Sequence, residues 1–238
     1  MGTWSKWKSL KSAYCAISSR KKGSEISMKI GILGAGKMAQ MLVPKLVSGG
    51  HRVILTNSKG PASLQSLVQT LGPAVSAAEP RQMLTEADLV ILATPWEKTP
   101  AAVAAAGSWA GKVVIDTTNN RRGPRPADLI DIGGRGSSEV VAEMLPGALV
   151  VKSFNYEPIP VFAAGLPAEG DSGAIFLSGD DAQAKAKVAQ LIRDMGGEPI
   201  DVGSLAEGGR LHGMGGPLSL KMKLLAPKEA RALLSTVR

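Results

Sequence analysis

The 238-residue sequence predicts an α/β fold, in which a doubly wound, mostly parallel sheet is followed by a small C-terminal α/β part. Short apolar runs alternate with stretches of helical periodicity, and glycines stand at the turns between them. Hydrophobic residues make up 44% of the chain but aromatic residues only 4%, so the core must be aliphatic. Such a composition suits tight strand-to-helix turns and strands that are buried on both faces.

The composition excludes several classes of site. A single cysteine, Cys15, rules out an intramolecular disulfide and a cysteine metal cluster, and only two histidines argue against a histidine metal site. We therefore predict no metal. No run reaches the roughly 18 apolar residues of a membrane-spanning helix. The net charge is +8, but residues 1–27 contribute +5 and the remaining chain carries +3, which gives no argument for nucleic acid as a partner.

Residues 1–27 form a basic extension that we expect to be disordered and outside the fold. The extension is rich in serine and contains Trp4 and Trp7, a composition shared with some organelle-targeting peptides, and it lacks the apolar core of a secretory signal. A targeting peptide, an upstream start-site artefact and a binding segment stay open as alternatives.

The first folded segment, Met28 to Ala39, reads MKIGILGAGKMA. A short β-run ends in the pattern G-x-G-x-x-A, and a helix to about residue 47 follows it. Gly34 permits the tight turn, and Gly36 leaves room for a pyrophosphate against the backbone. The helix start offers free N–H groups and its dipole to the phosphates. This context predicts a Rossmann domain that binds a dinucleotide.

The end of the second strand favours NADP over NAD. NAD enzymes usually place a carboxylate there to accept from the ribose 2′-hydroxyl, whereas this chain reads Asn57-Ser58-Lys59. Ser58 can donate to a 2′-phosphate, and Lys59 supplies a positive charge beside it. Asn57 and Ser58 also suit a turn and a cap for the helix that begins near Pro61, and the two roles are compatible.

The remaining pattern continues the alternation of strand and helix. Further strands are predicted at 74–76, 88–93, 112–116, 148–154, 174–178 and 199–202, and helices at 62–71, 80–86, 100–106, 137–145 and 180–195. Ser137 and Ser138 are expected to cap the helix that starts at 137. The predicted domains are a Rossmann domain over 28–153 and a small substrate-cleft domain over 154–238.

Ligands in such sheets bind beyond the carboxyl ends of the strands, and three of these ends are polar. We expect Thr94 and Pro95 to lie beside the nicotinamide ribose, with Asn119 at the cofactor and Asn120 and Asn155 at the substrate. A turn-forming role is the alternative for each. The loop 121–136 carries Arg121, Arg122, Arg125 and Arg135. These arginines either hold an anionic substrate or form a solvated charged loop.

The chain resembles the F420-dependent NADP oxidoreductase family. The resemblance spans Met28 to about Leu218 and is carried by IGILGAGKMA, ILTNSKGPASL, VILATPW, VVIDTTNN, SSEVVAEMLPGALVVKSFN, LSGDDAQAKAKVAQLIRDMGGEPIDVGSLAEGGRL and GGPL. It implies an NADP cofactor, with coenzyme F420 as a co-substrate lying between the fifth and sixth strand ends and the segment 211–217. By the same resemblance, the pyrophosphate contacts are Gly34, Ala35, Gly36, Lys37 and Met38, and the 2′-phosphate contacts are Asn57, Ser58 and Lys59. The chain departs from the family at 117–120, which reads TTNN, and in the tail from Ser219 onward.

The expected reaction is hydride transfer between NADPH and a ring acceptor such as coenzyme F420. NADPH itself supplies the chemistry of this transfer, and the protein holds the two rings close together. We name no catalytic residue. His212 is a candidate substrate contact and the one candidate for acid–base work, with packing as the alternative. Residues 154–238 are too few and too rich in strands for the helical second domain of β-hydroxyacid dehydrogenases and pyrroline-carboxylate reductases.

Two alternatives are also compatible with the sequence: reduction of a flavin or a ferric ion, and non-catalytic sensing of NADP. The expected partner is a small-molecule hydride acceptor, with no nucleic acid and no membrane. A homodimer is the oligomer we consider, and the cytoplasm is the expected location.

Overall fold

The computed structural model describes residues 27–123, 125–155, 173–219 and 225–237. Eight strands in these residues form one sheet in the order β3-β2-β1-β4-β5-β6-β7-β8. The strands are β1 (Lys29–Leu33), β2 (Arg52–Thr56), β3 (Val75–Ala77), β4 (Leu89–Leu92), β5 (Val113–Asp116), β6 (Leu149–Ser153), β7 (Ala174–Gly179) and β8 (Glu198–Asp201). Neighbouring strands are parallel, except that β6 and β7 are antiparallel. The predicted doubly wound, mostly parallel sheet is confirmed.

Eight α-helices lie in the described residues, and most of them connect strands. They are α1 (Lys37–Ser48), α2 (Gln65–Leu71), α3 (Pro80–Glu86), α4 (Thr99–Ala106), α5 (Ser137–Met144), α6 (Ala182–Asp194), α7 (Glu207–His212) and α8 (Pro227–Val237). Single 3-10 turns stand at Pro61–Leu64, Trp96–Lys98 and Pro126–Asp128. Among these helices, none combines the length and the apolar character needed to span a bilayer.

The sheet is buried on both faces, which explains the near-continuous apolar strands. Alternate residues of one strand point to opposite layers, so Ile32 packs beneath α1 and α6, whereas Leu33 packs with α3, α4 and α5. A third cluster packs α8 against β7 and β8, around Phe176 and Leu234. These layers hold the carboxyl ends of β1, β2, β4, β5 and β6 along one edge of the sheet.

The C-terminal part extends the same sheet. β6 pairs with β7, with Ser153 opposite Leu177, so strands on both sides of residue 153 are hydrogen-bonded to each other. The predicted domain boundary at 153 stays a prediction. The structure adds α8, which the sequence pattern did not predict, within the tail after Ser219. Apart from Ser27, the predicted basic extension lies outside the described residues.

The cap of α5 differs from the prediction. Gly136, not Ser137 or Ser138, is the N-cap residue, and its N–H donates to the Glu139 carboxylate. Both serines are buried and turn towards the sheet. The prediction that they cap the helix was wrong, because a buried polar group beneath α5 takes their hydroxyls instead.

Candidate nucleotide-binding site

The carboxyl ends of four strands are joined by backbone hydrogen bonds. The N–H of Gly34 donates to Thr56 O over 3.2 Å, Ala93 N to Leu33 O over 3.0 Å, and Thr117 N to Leu92 O over 3.2 Å. The strand order reverses at β1 and β4. A crevice at such a reversal is where open α/β sheets bind their ligands.

The two glycines of the first turn have different roles. Gly34 has φ +117°, and a Cβ there would lie 2.4 Å from Ala93 O, so this residue lets β1 turn close against β4. Gly36 has φ −76°, which any residue adopts, and a Cβ on it would meet nothing within 4 Å. No side chain caps α1 at Gly36. The first N–H groups of α1 and its dipole therefore face open space that suits an anion.

A cavity of about 460 Å³ lies over this turn. The residues that line it are, in chain order, Ala35, Gly36, Gln40, Asn57, Ser58, Lys59, Ser63, Leu64 and Leu67. The structure thus brings the glycine turn together with the end of β2. Gly34, Lys37 and Met38, which the sequence also nominates for the cofactor, do not line this cavity: Gly34 shapes the turn, Lys37 is exposed, and Met38 packs against the core.

Asn57 organises the turn after β2. Its Oδ1 accepts from Lys59 N over 2.9 Å, and its Nδ2 lies 2.9 Å from Ser63 Oγ. Ser63 Oγ also lies 2.7 Å from Gly60 O. Asn57 therefore shapes the loop while Ser58 and Lys59 are left exposed to the cavity. One carboxylate approaches this turn, because Glu79 Oε1 would lie 3.3 Å from a Cβ on Gly60, but Glu79 does not line the cavity.

At the end of β4, hydroxyl groups fix the expected nicotinamide side. Thr94 Oγ1 and Thr99 Oγ1 are 2.8 Å apart, and Thr99 Oγ1 donates to Pro95 O over 3.2 Å. Thr99 is buried at the start of α4, whereas Pro95 is exposed. The Thr94-Pro95 backbone is therefore held at the sheet edge with the Pro95 ring facing outward.

At the ends of β5 and β6, Asn119 and Asn155 form a pair. Asn119 Nδ2 donates to Asn155 O over 2.8 Å, and Asn155 Nδ2 donates to His212 O over 2.9 Å. Asn155 Nδ2 also donates to Asn119 Oδ1 over 3.3 Å, whereas the buried Asn155 Oδ1 lacks a partner among the described residues. Asn120 turns away from this pair, and its Nδ2 donates to Ile130 O over 2.6 Å. Asn120 therefore secures the loop 121–136.

A buried polar cluster lies beneath these strand ends. Lys152 Nζ donates to Ser137 Oγ over 2.8 Å and to Thr118 O over 3.2 Å, and it lies 3.8 Å from Asp116 Oδ2. Asp116 accepts in turn from Ser138 Oγ and from Thr118 N. Burial lowers the pKa of Lys152, and the nearby Asp116 charge opposes that effect. The cluster fixes Thr118, directly before Asn119, against α5.

His212 is also wholly buried, with its Nε2 2.9 Å from Ser178 Oγ. Burial, and to a lesser degree the charge of Lys152, lowers the pKa of His212 well below its usual value. The ring is therefore neutral near pH 7 and has no charged form to donate a proton. The backbone carbonyl of His212, rather than its ring, reaches the asparagine pair, which favours the packing role.

Sequence reasoning missed two groups of residues. Gln40, Ser63, Leu64 and Leu67 line the cavity because they lie on the helical turns next to Gly36 and Asn57, and the spacing of Gln40, four residues after Gly36, was a usable signal. The Lys152 cluster had a weaker signal. A lysine inside an otherwise apolar strand is rarely buried without partners, and its partners Asp116 and Ser138 are distant in sequence.

Comparisons with known proteins agree with this geometry. Residues 29–120 match the family model described as NADP oxidoreductase, coenzyme F420-dependent. A hypothetical protein of Sinorhizobium meliloti is 37% identical, with a TM-score of 0.75, over 84% of this chain and 96% of that one. A putative F420-dependent NADP-reductase from an Arthrobacter species is 31% identical, with a TM-score of 0.65, over 75% of this chain and 86% of that one.

A curated relative of a different kind is also similar. The metalloreductase STEAP3 of Rattus norvegicus is 30% identical over 179 residues, which cover 75% of this chain and 34% of that protein. The chain thus spans about a third of the length of the curated relatives that it matches. The Rossmann topology, the cavity over the glycine turn and these likenesses agree, and the chain belongs to the F420-dependent NADP oxidoreductase family.

Proposed function

We propose that this protein transfers a hydride between NADPH and a ring acceptor, with coenzyme F420 as the first candidate. The observation that carries the proposal is the cavity that joins the glycine turn at Gly36 to the basic turn at Ser58 and Lys59. The family to which the chain belongs supports the acceptor class.

The residues of the cavity fit NADPH. The open space at Gly36 accepts the pyrophosphate, and the N–H groups at the start of α1 bind its charge. Ser58 and Lys59 bind the 2′-phosphate, and Leu64 and Leu67 give apolar surface to the adenine. The nucleotide then extends along the sheet edge, so that its nicotinamide lies between Thr94-Pro95 and Asn119.

When bound, NADPH supplies the hydride, and the protein supplies orientation. The exposed Pro95 ring and the rigid Thr94 backbone support one side of the nicotinamide. Asn119, held by Asn155, offers an amide group for the carboxamide. His212 is buried and neutral, so the proton that accompanies reduction of the acceptor comes from solvent.

The test is NADPH oxidation by the purified chain, followed by absorbance, with coenzyme F420, free flavin and a ferric chelate offered in turn. Turnover with coenzyme F420 alone supports the proposal. A chain that binds NADPH tightly but turns over with none of the three contradicts it and favours the NADP sensor.

A second candidate is reduction of a flavin or a ferric chelate. The likeness to a metalloreductase favours it, although that likeness covers only 34% of the metalloreductase. Turnover with free flavin or ferric chelate, and none with coenzyme F420, would replace the first candidate with this one.

A further inference from the structure

The loop after β5 carries four arginines, and three of them are paired with acids. Arg122 Nε lies 2.9 Å from Glu97 Oε1, Arg125 Nη2 lies 3.0 Å from Asp128 Oδ1, and Arg135 Nη1 lies 2.6 Å from Glu143 Oε1. These three pairs lie at the surface, with their guanidinium groups already engaged. These three arginines fit the interpretation of the loop 121–136 as a solvated charged loop.

Arg121 differs from these three. Within the described residues no carboxylate lies within 4.0 Å of its guanidinium. Its Nε donates to Gly123 O, and its Nη1 lies 4.0 Å from Met214 Sδ, a weak acceptor. The side chain is partly buried. Hydrogen bonds from Arg125 lower the pKa of Asp128 and the charge of Arg121 contributes to this effect, but Arg121 and Asp128 form no salt bridge. Most of the five guanidinium donors of Arg121 are therefore available at a half-buried position.

Arg121 lies beside Asn119 and Asn155, where the proposed hydride acceptor would bind. Its backbone N–H donates to Asn119 O over 2.8 Å, so it follows directly on the asparagine pair. Its side chain reaches across to Met214, two residues after the His212 carbonyl that accepts from Asn155. An isolated bridge to Leu129 fixes the Arg121 backbone. The guanidinium thus spans the gap between the end of β5 and the segment 213–217.

The phosphates of NADPH do not account for this guanidinium. The residues that fit them are in the turn after β1 and the turn after β2. β5 is two strands away from β1 in the sheet, with β4 between them, so the ends of β1 and β5 are roughly 10 Å apart at a strand spacing of about 4.8 Å. Arg121 follows the end of β5 and does not line the cavity over the first turn. Arg121 therefore lies beside the asparagine pair and Met214, away from the two turns proposed for the phosphates.

We infer that Arg121 binds an anionic group, a phosphate or a carboxylate, on the hydride acceptor. The inference rests on the proposed function and narrows its substrate class to ring acceptors with a negatively charged side chain. A guanidinium binds such groups through two parallel hydrogen bonds, and the thioether of Met214 is readily displaced by an anion. Uncharged ring acceptors would lack this contact.

FMN and riboflavin provide the test, because they share one ring system and differ by one phosphate. Their dissociation constants are measured by flavin fluorescence on the NADP⁺-loaded full-length chain. We expect the wild type to bind FMN about tenfold or more tightly than riboflavin, as for a charge-assisted hydrogen bond. Arg121→Leu should remove that difference by weakening FMN alone, and Arg121→Lys should keep part of it.

Arg122→Leu is the matched control. It removes the neighbouring positive charge, which is 70% exposed and paired with Glu97, and it should leave both flavin constants unchanged. The NADPH dissociation constant of each variant reports whether its nucleotide-binding cavity is intact, and its thermal unfolding midpoint reports whether the fold is intact. An equal loss of FMN binding in Arg121→Leu and Arg122→Leu would indicate a general charge effect and overturn the inference.

The outcomes separate the inference from the proposed function. Equal binding of FMN and riboflavin to the wild type, with turnover of both, overturns the role of Arg121 and leaves hydride transfer standing. FMN binding that depends on Arg121, with no turnover of any acceptor, supports the anion site and contradicts the proposed function.

Discussion

At the scale of single residues, Gly34 and Gly36 lead to opposite expectations. Gly36→Val places its side chain in open space within an ordinary backbone conformation, so the chain should fold with a loss of at most about 1 kcal/mol, the usual effect of a poor N-cap residue. The same side chain fills the position of the pyrophosphate, so NADPH binding should be lost. Gly34→Ala should instead destabilise the fold, because φ is +117° and the new Cβ lies 2.4 Å from Ala93 O.

Calorimetric titration with NADPH and urea unfolding distinguish these two effects. Unchanged NADPH affinity in Gly36→Val would contradict the assignment of the pyrophosphate site. Equal stability losses in the two variants would contradict the separate roles of the glycines.

Lys59 tests the preference for NADP. Lys59→Ala should weaken NADPH by about 1–3 kcal/mol, the value of a charge-assisted hydrogen bond, and leave NADH unchanged, because only NADPH carries the 2′-phosphate. Arg52→Ala is a suitable control, since Arg52 is exposed at the opposite end of β2. If NADPH and NADH lose the same affinity, Lys59 does not bind the 2′-phosphate.

The buried His212 should make the free energy of unfolding depend on pH. Its pKa in the folded chain lies well below the unfolded value of 6.5, so below pH 6.5 the unfolded state binds the additional proton. Stability is therefore full above pH 6.5 and falls as the pH drops towards the folded pKa, by up to about 1.4 kcal/mol per pH unit. His212→Gln removes the titrating group.

Urea unfolding at a series of pH values measures this effect. The slope below pH 6.5 should be smaller in His212→Gln, and His51, whose pKa is also lowered by burial, contributes to the slope that remains. An identical slope in the two chains would show that the His212 ring is accessible to protons in the folded state.

At the scale of elements, the Lys152 cluster links α5 to the ends of β5 and β6. Lys152→Met leaves the buried Asp116 without its cation, which typically costs about 3–5 kcal/mol. Asp116 keeps its bonds from Ser138 and Thr118 N, so we expect the lower end of that range. The double variant Lys152→Met/Asp116→Asn should lose less than the sum of the two single losses, because neither charge is then left alone. Additive losses in a urea double-mutant cycle would show that the two groups are not coupled.

The same elements explain how far sequence reasoning reaches. The glycine turn and the turn after β2 were recognised from the sequence, because each consists of consecutive residues with a local pattern. Of the residues named for these two turns, Ala35, Gly36, Asn57, Ser58 and Lys59 line the cavity. The Lys152 cluster joins residues 116, 118, 137, 138 and 152, and the asparagine pair joins residues 119, 155 and 212. Such contacts depend on strand order and helix packing, which local patterns do not contain. That Arg121 forms no salt bridge with a described carboxylate, unlike the other arginines of its loop, is likewise visible only once the acids are placed.

At the scale of the whole molecule, the strand order through β6 follows from alternating strands and helices, because right-handed crossovers permit few alternatives. The antiparallel direction of β7 relative to β6 does not follow, since the sequence pattern of a strand does not encode its direction. The tail formed α8, whose buried residues Ala230 and Leu234 recur four residues apart. That spacing is visible in the sequence but occurs too few times to predict a helix without a partner surface.

The continuous sheet makes a prediction about cooperativity. If β7 and β8 unfold together with β1 to β6, a defect beneath α8 must lower the stability of the distant layer as well. Leu234→Ala should cost about 2 kcal/mol, as for a nearly buried leucine. In a chain with Trp4→Phe and Trp7→Phe, the remaining tryptophans, Trp96 and Trp109, lie before residue 153 and report only on the first part. Their fluorescence midpoint in urea should fall together with the midpoint from circular dichroism. Separate midpoints, with only the circular dichroism signal shifted, would instead identify 154–238 as an independent domain and place the boundary where the sequence pattern puts it.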